Sequence, residues 1–168
     1  MRKRMTVIPI PDGNAIKYFS DREAWGRIRR AQAHGFYLEA VTLEESIIAD
    51  SLISFLVCVG AVQPDARLAR QSFGQLVQQW MAVVPEPIPT KHFPDLRTAV
   101  DAWRKRRNKV VHGMVKSVPG TAHDDVLNFL EEAKVVALEG DALAQALSDW
   151  GKKMKQRLNT SKVKAVSA

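Results

Sequence analysis

Residues 36–60, FYLEAVTLEESIIADSLISFLVCVG, constrain this chain more than any other stretch. Val41, Ile48, Leu52, Phe55 and Val59 recur at helical spacing, over a length that strands rarely reach. A helix so apolar has to be covered by other elements, which places it at the centre of the fold. The flanking segments read the same way. Ser20-Asp21-Arg22-Glu23 matches a capping box and predicts a helix from Ser20 to about Ala33. Gly35 punctuates it. After Gln63-Pro64-Asp65, residues 66–84 resume an amphipathic pattern through Leu68, Phe73, Leu76, Val77 and Trp80.

The four prolines of PEPIPTKHFPD (85–95) exclude regular structure there. Helix resumes from Asp95 to about Lys116, where Val118-Pro119-Gly120 stops it, and a last helix runs from His123 to about Leu158 with a break or kink at Gly140-Asp141. Period-two alternation is missing throughout. The expected fold is therefore an all-α bundle of five or six helices, a single domain over residues 20–158. An irregular lead-in (1–19) precedes it and a disordered basic tail (159–168) follows. At 168 residues and 46% hydrophobic content, the chain can bury one core without staples.

Cys58 is the single cysteine, which excludes a disulfide framework and fits a reducing compartment. No apolar run is long enough to span a bilayer, and the opening residues MRKRMTVIPI lack a signal peptide's apolar stretch; a soluble cytoplasmic protein is expected, with no membrane partner. No Glu-x-x-His, paired-cysteine or glycine-rich phosphate motif occurs, so neither a metal nor another cofactor is expected. The net charge of +7 lies mostly at the ends: residues 2–4 and 151–168 carry all of the excess, and residues 5–150 sum to −2. One internal run departs from this. RKRRNKVVHGMVK (104–116) has six basic side chains and no acid, and predicts a local positive field inside the folded part.

That run lies on a helix whose apolar stripe is Leu96, Val100, Trp103, Val110 and Met114. The position missing from the stripe is Arg107, a permanent cation on a core-facing line, which requires a carboxylate, a phosphate or a wet cleft. The stripe of the central helix has the same flaw at Glu44. A Glu44–Arg107 pair follows, either structural or functional. Asn108 and His112 stand four apart on one face, and Arg104 extends their row. Arg107 lies about 140° around the helix from His112, close enough for a long side chain to curl toward the ring. Arginine to hold a phosphate, an imidazole to move a proton and an amide to orient them are the parts needed for metal-free cleavage of RNA by its own 2′-hydroxyl.

The string Arg107-Asn108-Lys109-Val110-Val111-His112, near the end of a helix in an all-α chain, resembles the R-x4–6-H motif of the HEPN superfamily. The long acidic helix before it, the SFGQLVQQW segment and the WRKRRNKVVHG context resemble uncharacterised bacterial or phage members. The resemblance implies a toxin-like endoribonuclease acting in defence or phage–host conflict, with Arg107, His112 and Asn108 as catalytic residues. It also implies a homodimer in which two motif helices build one cleft, an antitoxin protein as a candidate partner, and an acidic support from an earlier helix, first Glu44 and then Asp50. Arg104, Arg106, Lys109 and Lys116 would contact the RNA. Some members carry a modifiable tyrosine two residues after the histidine; here that position is Met114. Members that have lost activity act as modules binding RNA, a nucleotide or a partner protein, which is the alternative reading.

Overall fold

A computed structural model describes residues 13–64, 68–115 and 123–166. Among them there are five α-helices and no strand: α1 (Gly13–Ala33), α2 (Tyr37–Cys58), α3 (Phe73–Val83), α4 (Leu96–Val115) and α5 (His123–Val166), with a 3-10 turn at Leu68–Arg70 before α3. The fold is the expected all-α bundle. No helix among the described residues is long and apolar enough to cross a membrane.

The apolar stripe of α2 explains its place. Val41, Ile48, Leu52, Phe55 and Leu56 are buried, and α5, α1 and α3 pack around them. α4 closes the bundle by lying against α5, with Leu96, Val100, Trp103 and Val110 turned inward. Trp103 Nε1 donates to the Val136 carbonyl at 2.8 Å, so its one polar atom is satisfied in the core. Gly35 (φ 76°) and Gly60 (φ 75°) end α1 and α2 in the left-handed conformation that suits glycine. In each case the next residue's N–H returns to a carbonyl five residues back (Phe36 to Ala31, 2.8 Å; Ala61 to Leu56, 2.9 Å).

Several expected boundaries differ. α1 begins at Gly13, so residues 13–19 are helical and Ser20 lies inside the helix. Glu23 closes no capping box; it meets Arg27 at 3.0 Å and Arg30 at 3.3 Å. The capping box belongs to Ser72 and Gln75, whose reciprocal bonds (3.3 and 2.9 Å) start α3 after the 3-10 turn and divide the segment read as one helix. α5 runs on to Val166, so positions 159–166 continue the helix rather than form a tail. It also passes Gly140 without a break. A Cβ at Gly140 would overlap Oε2 of Glu44 and stand 2.8 Å from the Trp103 ring; the glycine makes room for these side chains, and propensity yields to packing. The expected stop at Val118-Pro119-Gly120 falls outside the described residues.

Candidate functional site on helix α4

The Asp95 carboxylate accepts the Ile88 and Arg97 N–H groups (3.0 and 3.1 Å), which ties the proline-rich segment to the start of α4 and fixes the helix's rotation. With Leu96, Val100, Trp103 and Val110 seated in the core, Arg107 must point at the gap between α2, α3 and α4. Its side chain is about 20% exposed. The guanidinium pairs with Glu45 of α2, and Nη1 donates to Asn108 Oδ1 at 2.9 Å. A cavity of about 280 Å³ opens beside it, with Thr42, Ser46, Gln71 and Phe73 among its walls. Arg107 lines this cavity, and its Nε is buried with no hydrogen-bond partner among the described residues. A guanidinium in the wall of a cavity suits an anionic oxygen.

The carboxylate facing Arg107 is thus Glu45 and not Glu44, which corrects the sequence expectation. On the helical wheel these neighbours flank the Val41–Ile48–Leu52 stripe on opposite sides. Glu45 turns toward α3 and α4. Glu44 turns toward α1 and α5, is fully buried, and takes a bond from Gln32 Nε2 at 3.1 Å. Burial without a cation pushes the Glu44 pKa up to about 8. Burial also raises that of Glu45, with Arg107 opposing the shift. The stripe alone could not rank the two, because only the positions of α1 and α4 decide which acid meets a cation. Asp50 is not at this site either: it is exposed and lines a groove with Asp21, Ser51 and Lys155 on the α1–α5 side.

His112 lies exposed in the last turns of α4, and among the described residues no hydrogen bond joins it to Arg107 or Asn108. The convergence expected within one chain is therefore only partial: Arg107 and Asn108 meet, and the imidazole stands on the outer face. The positive field is also weaker than the run implies. Arg104 bonds Asp101 (2.7 Å), Lys105 bonds the same carboxylate (2.8 Å), Arg106 pairs with Glu139 and Lys109 with Glu132 (3.0 Å). The neutralising acids on α2 and α5 lie far away in sequence, which hides them from a reading of the run alone. Lys116 falls outside the described residues.

Comparisons with protein families, with characterised proteins and with solved structures find no match. Among the described residues no group of three or more His, Cys, Asp or Glu side chains is placed to hold a metal ion. What α4 offers is a half-buried guanidinium oriented by a carboxylate and an amide, with a solvent-facing imidazole further along the same helix.

Proposed function

We propose that the chain is an endoribonuclease in which Arg107 and Asn108 hold the scissile phosphate and His112 moves the proton. In the reaction the 2′-oxygen attacks phosphorus and the bond to the 5′-oxygen breaks; the His112 imidazole takes the 2′-hydroxyl proton, and the leaving 5′-oxygen takes one proton back from that imidazolium or from water. The observation that carries this reading is the Arg107 side chain in the wall of the cavity, paired with Glu45 and Asn108 and with a buried Nε that has no hydrogen-bond partner among the described residues. The Glu45 carboxylate holds the guanidinium in place until a phosphate competes for it. Because burial raises its pKa, Glu45 releases Arg107 more readily on protonation than a surface glutamate would.

The separation of His112 from Arg107 calls for a second copy whose α4 brings its imidazole to the Arg107 cleft. Exposed Leu127, Leu130, Val135 and Leu138 on the half of α5 beside the motif, with Phe36 close to Leu130, supply apolar surface for such a homodimer. The toxin-like role in defence, an antitoxin partner and a cytoplasmic location belong to the same proposal. The competing reading, a silent module that binds RNA, a nucleotide or a partner protein, draws its support from the Arg107–Glu45 pair, which leaves the guanidinium already satisfied in part.

The test is incubation of the purified chain with RNA in EDTA, beside His112→Ala. The proposal expects products with 2′,3′-cyclic phosphate ends from the wild type, and a loss of about 10²–10⁴ in rate for the variant. Magnesium-dependent cleavage leaving 5′-phosphates would contradict it. Binding without cleavage by either protein would favour the silent module.

A further inference from the structure

A cleft of about 950 Å³ lies away from α4. It lies between α1, the lip Pro89–His92 and the second half of α5, and shares no lining residue with the Arg107 cavity. Three features set its chemistry. Cations stand on all three walls: Arg22 and Arg29 from α1, Lys91 from the lip, Lys153 and Arg157 from α5. Two half-buried tryptophans, Trp25 and Trp150, form apolar surfaces beside Ala142 and Ala146. Asp141, Gln145 and Asp149 supply acceptors between them, and Gln145 Nε2 orients Asp149 through a 3.1 Å bond.

The walls are preformed. Trp150 is held by Phe55 (centroids 4.7 Å apart) and by buried Trp80 (5.5 Å, edge on), so its indole is a fixed platform. The lip is tied down by bonds between Thr90 and Phe93 (2.9 and 3.0 Å), by the Asp95 carboxylate on Ile88 N–H and by Arg97 Nη1 on the Val84 carbonyl (2.8 Å). A site already ordered loses little entropy when a ligand binds.

We infer that this cleft is a binding site for a nucleoside phosphate. A planar base would lie against the tryptophans, ribose hydroxyls or base N–H groups would donate to Asp141 or Asp149, and the phosphates would meet the surrounding cations. The volume is within the range of small-molecule sites. Cations that converge from three sides, with two carboxylates among them, suit a compact ligand better than a polynucleotide strand, which needs a continuous basic track. This inference does not depend on the reading of α4.

The test is titration of the full chain with ADP, GDP, adenosine and inorganic phosphate, read by calorimetry and tryptophan fluorescence. One of the nucleotides should bind at least about tenfold more tightly than adenosine or phosphate, since base and phosphate contacts add. Lys91→Glu and Arg29→Glu, both at exposed positions, should each weaken that binding about tenfold or more, whereas Lys105→Glu on α4 should not. Equal affinity for nucleotide and phosphate, failure of ADP and GDP alike, or indifference to both charge reversals would overturn the site. So would a single-stranded oligonucleotide that occupies the cleft more tightly than either nucleotide, because the ligand class would then be wrong.

Discussion

Glu44 and Glu45 are neighbours on one helix, yet they look into different halves of the bundle and do different things. On the Glu44 side a carboxylate is fully buried against Gln32, Gly140 and Trp103, with burial far outweighing its single hydrogen bond. On the Glu45 side a half-buried carboxylate holds Arg107 at the edge of a cavity, and the cation offsets part of the burial. An acid buried alone carries a cost to stability at neutral pH, whereas an acid buried with a guanidinium becomes a positioning device. The Glu44 side should therefore respond mainly in stability and the Glu45 side mainly in activity.

The largest effect is expected on the Glu45 side. His112→Ala should lower RNA cleavage by about 10²–10⁴ with its melting temperature close to wild type, as His112 is exposed. A folded variant that retains full activity would remove the imidazole from the mechanism. On the Glu44 side the folded state retains a proton that the unfolded chain loses above a pKa of 4.5. Its contribution is thus complete below that value and is lost as pH rises toward about 8. Denaturant unfolding across this window should show stability falling by on the order of a few kcal/mol, a slope that Glu44→Gln flattens. An unchanged slope would place the titration elsewhere.

Gly140→Ala sharpens the same contrast. Helix propensity alone favours alanine by about 1 kcal/mol. The overlap with Glu44 and Trp103 should reverse the sign and destabilise by about 1–3 kcal/mol, read as a lower melting temperature. Stabilisation would mean that the carboxylate can move away freely. The smallest effect belongs to Lys109, whose pair with Glu132 is largely exposed. Lys109→Ala should change stability by less than about 1 kcal/mol. It should also reduce the salt slope of single-stranded RNA binding by about 0.7 if the lysine meets a phosphate.

The helices were legible wherever a single stripe decided burial: Ile48 and Leu52 on α2, Val100 and Trp103 on α4. Position 107 stood out for the same reason, since a cation in an apolar row is visible without any partner. Its partner was not, because Glu44 and Glu45 flank their stripe almost equally and the choice depends on where α4 lies. Gly140 was misread because a sequence shows propensity and not the neighbours that occupy the space of a missing side chain. The neutralisation of the basic run was hidden similarly: Glu132 and Glu139 reach α4 only through the packing of α5.

Arg107→Lys is the most direct test of the claim that α4 presents its guanidinium to a phosphate. The substitution keeps the charge opposite Glu45 but removes the planar fork and the buried Nε donor. The measurement is the rate of RNA cleavage by wild type and Arg107→Lys side by side, with melting temperatures confirming that both are folded. The account predicts cleavage by the wild type and a loss of about 10²–10³ in the variant, close to that of Arg107→Ala. Equal rates for wild type and Arg107→Lys, or no cleavage by the folded wild type, would contradict it.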